Sequence, residues 1–298
     1  MNAPTKFPQD LEPTIANGKK PVPTPPDLAI IVRDQRFGRA DKPGRWWLNN
    51  DPIATAWHNA LSATFPRGEA FFIEAVKAHR DGASPKLAGE IRAFVKQEIN
   101  HTREHIVFNK AAVEAGYDLE KIDTRVAANL ELTKDRPAII NLAVTMALEH
   151  YTAMMAHDFL ANPRHFAGAT GDSGAMWRWH AMEEIEHKGV AYDTWLHATR
   201  NWSRAKRWKL KSIMMVIVTK NFISNRWTDS LDLLAQDGIT GNKVKWQLAA
   251  YLLWQPGILR RIFPAWCAYF LPGFHPWNQD DRALIGKTES EFKDAVPG

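Results

Sequence analysis

The sequence predicts an all-α protein, a four-helix bundle with additional helices at its C-terminal end. Between residues 67 and 196, apolar side chains recur every three or four positions, which is the spacing of amphipathic helices. The alternating β-branched runs that would indicate strands are missing from this stretch. A Glu-x-x-His spacing also occurs twice in it, and this spacing places both side chains on one face of a helix.

Four long helices are expected in this stretch, and glycine and proline mark their ends. The first follows Pro66 and ends at Asp81 and Gly82, and the second follows Pro85 and continues to residue 115. The third opens at Pro137 and ends near residue 162, and the fourth extends from about residue 175 to 199. Short loops make each consecutive pair an antiparallel hairpin, and residues 117–136 connect the two hairpins.

Two further segments flank this bundle domain, which we assign to residues 28–200. Residues 1–27 contain seven prolines and no apolar run, so we expect a disordered or draped arm and no signal peptide. Residues 201–298 form a basic, Trp-rich helical extension that packs on the bundle. From residue 200 onward the net charge is +7, and this part holds seven of the thirteen tryptophans.

Composition excludes several classes of protein. The single cysteine, Cys267, cannot form an intramolecular disulfide, so nothing requires an oxidising compartment. No run of about 18 uncharged apolar residues exists, which argues against a conventional membrane span. We therefore expect a cytoplasmic protein, with peripheral attachment to the inner membrane as a further option.

The two Glu-x-x-His pairs are Glu98 with His101 on the second predicted helix and Glu184 with His187 on the fourth. Either pair alone is more often part of a solvated charged face. The significance of the pairs therefore depends on whether the other two helices carry carboxylates at the same height.

Two single glutamates meet that condition. Glu69 and Glu98 lie equally far from a turn near residue 83, whereas Glu74 is five residues nearer to it and would be displaced by roughly 7.5 Å. Glu149 and the fourth-helix pair likewise lie on either side of the turn at residues 166–174. Apolar and small side chains surround Glu149, where an unpaired buried carboxylate costs several kcal/mol, so a ligand role is favoured over a structural one.

One carboxylate from each of two helices, with Glu-x-x-His from each of the other two, is how ferritin-like bundles hold di-iron or di-manganese centres. We therefore predict two metal ions, with iron as the first choice and manganese or zinc as alternatives. No catalytic residue beyond the metal site is identified. The predicted ligands from these helices are Glu69, Glu98, His101, Glu149, Glu184 and His187.

The extended pattern His180-x-x-x-Glu184-x-x-His187 resembles that of the di-iron arylamine N-oxygenases. The resemblance implies that His180 is a third imidazole ligand, with a supporting role as the alternative. Further candidates for orienting the ligands are His105, Glu183, Glu186 and Asp193, of which His105 or Glu183 could instead bind metal.

Three motifs together carry a second resemblance: Phe65-Pro66-x-Gly68-Glu69, Glu98-x-x-His101-x-x-x-His105 and His180-Ala-Met-Glu183-Glu184-Ile-Glu186-His187-Lys188. They are similar to those of a bacterial family of predicted metal-dependent hydrolases, over roughly residues 30 to 275. This resemblance implies metal-dependent chemistry.

The leading hypothesis is an O2-activating oxygenase or oxidase that acts on a small lipophilic or aromatic substrate and takes electrons from a donor protein. The first alternative is a hydrolase in which two metals activate a water molecule. The second is a non-enzymatic metal-binding or ferroxidase-like protein.

The basic, Trp-rich segments 202–218 and 246–271 indicate contact with a membrane surface. The alternative is that their aromatic side chains cap the open end of the bundle. Nucleic acid is not expected, because no binding motif accompanies the basic residues. A homodimer is the expected assembly.

Overall fold

The computed structural model describes residues 24–39 and 43–294, and this part of the chain forms eleven α-helices and no β-strand. The all-α prediction is therefore confirmed. Most of the predicted N-terminal arm, residues 1–23, lies outside the described residues. The helices are α1 Pro52–Ser62, α2 Phe65–Lys77, α3 Pro85–Glu114, α4 Glu120–Glu131, α5 Ala138–Ala161, α6 Ser173–His187, α7 Val190–Ala198, α8 Arg204–Gln236, α9 Asn242–Leu253, α10 Ile258–Ala268 and α11 Arg282–Asp294.

The bundle consists of α2, α3, α5 and α6. Helix α2 packs against α3 and α5, and α6 packs against the same two helices, so the four enclose a common core. Each predicted hairpin pairs consecutive bundle helices, α2 with α3 and α5 with α6. Apolar side chains at helical spacing, among them Phe72 and Val76 on α2 and Leu142 and Met146 on α5, are buried there.

Local sequence signals explain where several helices begin. Asp51 accepts hydrogen bonds from the backbone N–H groups of Ile53 and Ala54 at the start of α1. Ser84 does the same for Leu87 at the start of α3, where Pro85 occupies the first helical position. Helices α1 and α4 are absent from the prediction, which assigned no element before residue 67 and only a connection between residues 117 and 136.

The fourth predicted helix, expected to be continuous to residue 199, is interrupted after Lys188. Helix α6 ends at His187 and α7 begins at Val190. A side chain at Gly189 would place its Cβ 2.6 Å from Thr24 Oγ1 and 3.1 Å from the Trp277 ring. Because these two residues come from distant parts of the chain, the pattern of the helix alone does not indicate the break.

The C-terminal helices form an outer layer on the bundle. Helices α8 and α10 pack on α5, and α11 packs on α6, while α1 packs against α8. Several tryptophans of the bundle and of the flanking segments are buried, among them Trp57, Trp177, Trp195 and Trp277. Among the described helices, none combines the length and the apolar character that crossing a bilayer requires.

Candidate metal centre

Acidic and histidine side chains from all four bundle helices meet at one buried centre. Their donor atoms form four overlapping triplets, one of which also includes His105, and within each triplet the atoms lie no more than 4.8 Å apart. None of the seven other residues at the centre is more than 4% exposed. They are Glu69 from α2, Glu98 and His101 from α3, Glu149 from α5, and His180, Glu184 and His187 from α6.

Glu184 divides this centre into two halves. Its Oε1 lies 2.8 Å from His180 Nε2 and 3.7 Å from His101 Nδ1. Its Oε2 lies 3.5 Å from His187 Nε2. The two oxygens of one carboxylate therefore face two different groups of imidazole nitrogens, and Glu184 lies between these groups.

Glu98 has the same position between the halves. It belongs to one triplet with Glu69 and His101, and to another with Glu149 and His187. Its Oε1 is 3.1 Å from His187 Nε2. The centre therefore contains two adjacent subsites that share Glu98 and Glu184.

Eight polar atoms at this centre have no hydrogen-bond partner among the described residues. Leaving so many buried acceptors unpaired is costly, because each loses its hydration without compensation. A cation between them removes that cost, and carboxylates with imidazoles are ligands that suit iron or manganese. The residues present therefore fit a metal centre. The atoms are both carboxylate oxygens of Glu98 and of Glu149, Glu69 Oε1, Glu184 Oε2, His101 Nδ1 and His187 Nε2.

The pKa directions show the same surplus of negative charge. Burial, together with the nearby Glu98, raises the pKa of Glu69 and of Glu149 well above the ordinary carboxyl value. Burial alone would also raise the pKa of Glu184, but His187 and His180 together outweigh it and the pKa lies well below the ordinary value. Burial would lower the pKa of His187, yet Glu184 and Glu98 together raise it well above the ordinary value. Without metal, a proton on His187 supplies the positive charge.

The outward-facing nitrogen of His187 is held by an amide. His187 Nδ1 donates to Gln97 Oε1 at 2.9 Å. The orientation of this amide is fixed because Gln97 Nε2 donates to Glu186 at 2.9 Å and to the Ile31 carbonyl at 3.0 Å. The proton of neutral His187 is therefore on Nδ1, and the Nε2 lone pair faces the centre.

A carboxylate holds His101 in the opposite tautomer. His101 Nε2 donates to Glu183 Oε2 at 3.1 Å, so Nδ1 faces the centre. Glu183 in turn accepts from the Arg33 backbone N–H at 3.2 Å. Burial, with a contribution from Glu186, raises the pKa of Glu183 to about 8.

A chain of three side chains fixes His180. Asn109 Nδ2 donates to the Ser62 carbonyl at 3.2 Å, and Ser62 Oγ donates to Asn109 Oδ1 at 2.6 Å. Since the hydroxyl proton is used, Ser62 Oγ accepts from His105 Nδ1 at 2.8 Å, and His105 Nε2 accepts from His180 Nδ1 at 2.6 Å. The lone pair of His180 Nε2 therefore points at the centre. It meets Glu184 Oε1 there, a second acceptor, and a cation resolves that conflict.

Of the four predicted orienting residues, three contact this network. His105 binds His180, Glu183 binds His101, and Glu186 contacts Gln97 and also forms a 2.8 Å ion pair with Arg33. Asp193 contacts Thr24 at 2.7 Å and His275 at 3.1 Å, outside the centre.

Sequence reasoning missed several supporting residues of this centre. Thr102 donates to Glu69 Oε2 at 2.6 Å. Gln97, Ser62 and Asn109 are uncharged, so no charge pattern marks them. The available signal is the four-residue spacing on one face of α3, which links Asn109 to His105, Gln97 to His101 and Thr102 to Glu98. Glu74, the competing glutamate on α2, is 72% exposed at its side chain and pairs with Lys77.

Comparison with known proteins gives one finding. A family model described as predicted metal-dependent hydrolase matches residues 31–280. No curated protein and no solved structure matches the chain significantly, and the similarity to the arylamine N-oxygenases is not confirmed. The matched range covers most of the chain and contains every residue of the centre, so the chain belongs to this family of predicted metal-dependent hydrolases.

Proposed function

We propose that this chain is a metal-dependent enzyme whose bundle core binds two metal ions. The observation that carries the proposal is the convergence of eight unpartnered buried donor atoms on two adjacent subsites. One subsite takes Glu69, His101 and His180, and the other takes Glu149 and His187. Glu98 and Glu184 are shared between them, so removing either shared carboxylate affects both ions.

The number of ligands bears on the identity of the metal. Seven side chains, two of them shared, give each subsite at least four protein ligands. Zinc prefers four-coordinate tetrahedral sites, which the protein ligands alone would fill. Iron and manganese accept six ligands, so positions remain for water or substrate. We therefore propose iron or manganese, with iron first.

The reaction proposed first is hydrolysis, because the family description favours it over the oxygenase expected from sequence. A bound metal pair would lower the pKa of a water molecule and polarise an ester, amide or phosphate. The chain's own residues orient three imidazole lone pairs and exclude bulk water. Gln97, Glu183 and His105 hold the outward nitrogens, and the enclosing bundle leaves every ligand nearly or fully buried.

The second candidate is the O2-activating oxygenase or oxidase. Two observations favour it: the carboxylate-rich donor set and the burial of every ligand to 4% exposure or less. A centre closed to this degree suits a reactant as small as O2. The substrate would then be oxidised beside the metals, with electrons from a donor protein.

The two reactions are separated by loading the metal-free full-length chain with iron, manganese or zinc in parallel. Each form is assayed against panels of esters, amides and phosphates, and separately for O2 consumption with a reductant. Turnover of a hydrolytic substrate without O2 supports the hydrolase. If the iron-loaded protein consumes O2 and the manganese- and zinc-loaded forms do not, the result supports the oxygenase. Iron oxidation with no organic product supports a ferroxidase.

Variants decide whether any activity belongs to this centre. Glu184→Ala removes a shared carboxylate and should abolish the activity. Glu74→Ala removes an exposed glutamate of α2 and should leave it unchanged. An activity that survives Glu184→Ala contradicts the proposal.

A further inference from the structure

Exposed apolar side chains gather on the C-terminal helices. Among the described residues, nine of the fifteen exposed large hydrophobic side chains lie between residues 208 and 271. Trp246 is 76% exposed and Trp254 is 72% exposed, although tryptophan is normally among the more buried residues. We call these nine side chains the C-terminal apolar face: Trp208, Ile213, Val216, Ile217, Trp246, Leu253, Trp254, Phe263 and Leu271.

The three helices that carry this face are joined to one another. Trp208 Nε1 on α8 donates to the Phe270 carbonyl just after α10, at 2.8 Å, and Trp266 Nε1 on α10 donates to Thr219 on α8, at 2.9 Å. Arg260 on α10 donates to the Leu253 carbonyl at the end of α9, at 3.2 Å. The apolar side chains therefore belong to one connected layer.

Part of α8 shows how the surface is composed. Six residues recur there at three- and four-residue spacing and so project from one side of the helix. Three are aliphatic and exposed by 42–54%, and three are lysines. Aliphatic side chains flanked by lysines are typical of helices that lie in a membrane interface. The six are Lys206, Lys209, Ile213, Val216, Ile217 and Lys220.

The charge of this layer is almost entirely positive. Residues 204–271 contain eleven lysines and arginines against three aspartates and no glutamate. All three aspartates pair with arginines: Asp229 and Asp232 contact Arg125, and Asp237 contacts Arg45. Nine of the basic residues form no ion pair within the described part of the chain, the buried Lys211 and eight others: Arg204, Lys206, Arg207, Lys209, Lys220, Lys243, Lys245 and Arg260.

We propose that the C-terminal apolar face binds the surface of an anionic lipid bilayer. Its tryptophans and aliphatic side chains enter the boundary between headgroups and acyl chains, and the surrounding lysines and arginines contact lipid phosphates. A second copy of the chain fits poorly, because docking two such faces would bring unpaired cations together without acidic partners. A nucleic acid would use the charge but not the exposed aliphatic side chains.

The test is flotation of the full-length chain with vesicles. One set is pure phosphatidylcholine, and the other contains roughly one third phosphatidylserine, which supplies the negative surface. We expect binding to the anionic vesicles that falls when salt is raised to about 0.5 M. The double variant Trp246→Ser with Trp254→Ser should bind at least about tenfold more weakly, because it removes the two most exposed anchors.

Two controls keep the result specific. Val113→Ala with Leu132→Ala removes two side chains that are 51% and 65% exposed outside this face, and vesicle binding should be unchanged. Chromatography of each variant measures its oligomeric state. No vesicle binding, or binding indifferent to both tryptophans, overturns the proposal. The proposal is also overturned if the unmodified chain is a dimer and the tryptophan variant is a monomer. That result would show that the C-terminal apolar face binds a second copy of the chain.

Discussion

The bundle core and the C-terminal layer both bury charge that nearby opposite charges do not balance, but they do so in different ways. In the layer, Lys211 on α8 is 5% exposed and forms no ion pair with a carboxylate among the described residues. Its Nζ donates to the Tyr269 carbonyl and lies 4.2 Å and 4.4 Å from the ring centroids of Tyr269 and Phe274. The protein itself therefore offsets part of the cost of burying this cation, through a dipole and aromatic faces.

In the core, no such solution is present for the carboxylates. Both oxygens of Glu98 and of Glu149 lack any hydrogen-bond partner among the described residues. The difference shows that burial of charge does not by itself indicate a ligand site. What indicates one is a group of donor atoms that face one another and that the rest of the chain leaves unpaired.

The largest effect should follow from removing a shared carboxylate. Glu184→Ala takes away an oxygen from each subsite, so we expect bound metal to fall from about two ions per chain to about none. Elemental analysis of purified protein measures this. Glu74→Ala, on the exposed side of α2, should retain the full metal content. If Glu184→Ala retains its metal, Glu184 is not a metal ligand. The buried carboxylates of the core would then be a structural feature of the fold, as the buried charge of Lys211 is.

The next effect concerns stability and its dependence on pH. Metal at about 1,000 times its dissociation constant stabilises the fold by about 4 kcal/mol, so chelation should lower the unfolding midpoint. The pKa values of Glu69, Glu149 and His187 are raised in the metal-free fold, so their stabilising contributions are lost as pH rises through those values. Titratable groups outside the centre contribute equally to the stability of the metal-bound and the metal-free protein, so their contributions cancel when the two are compared.

We therefore expect the gap in stability between metal-bound and metal-free protein to widen as pH rises above the ordinary carboxyl and imidazole pKa values of 4.5 and 6.5. Urea unfolding with and without chelator at each pH measures the gap. A constant or narrowing gap would contradict the assignment of unpaired charge to the core.

Residues that hold the ligand histidines should matter less than the ligands. Gln97→Leu leaves His187 Nδ1 without its partner, and Ser62→Ala does the same to His105 Nδ1, whose other nitrogen holds His180. Changes in such supporting contacts weaken metal affinity by about 10- to 100-fold. Competition with a chelator of known affinity measures the loss. Asp193→Asn, a predicted orienting residue whose contacts lie outside the centre, is the matched control and should retain full affinity.

The smallest effect is expected in the C-terminal layer. Burial lowers the pKa of Lys211 to about 7, so charging this side chain below that pH costs stability. Lys211→Met should stabilise the protein by on the order of 1 kcal/mol at pH 6, where the aromatic faces offset part of the cost. The gain should shrink as pH rises from about 7 toward 10. A destabilised Lys211→Met would mean that the lysine is fully solvated by its surroundings.

The sequence predicted the fold class and the four bundle helices because both follow from local periodicity. The matched heights of Glu69 with Glu98 also follow from the constant rise of a helix. The heights of Glu69 and Glu98 can be predicted from the sequence because each depends only on its own helix and on the turn that joins the two helices.

Features that depend on distant segments were not predictable in this way. Thr24 and Trp277 pack closely against Gly189, and the support of Glu183 comes from Arg33, which is 150 residues away. The sequence also could not show which tryptophans of the C-terminal third are buried and which are exposed. Burial of Trp277 and exposure of Trp246 depend on tertiary packing. Helix α4 was missed because a connection of this length needs no helix.

The most direct test of the central claim is anomalous X-ray diffraction from crystals of the metal-loaded protein at the absorption edge of the metal. The account predicts two peaks about 3.5–4 Å apart, with Glu98 and Glu184 between them and Glu149 and His187 beside one of them. One peak, no peak, or a metal bound outside these four helices would contradict it.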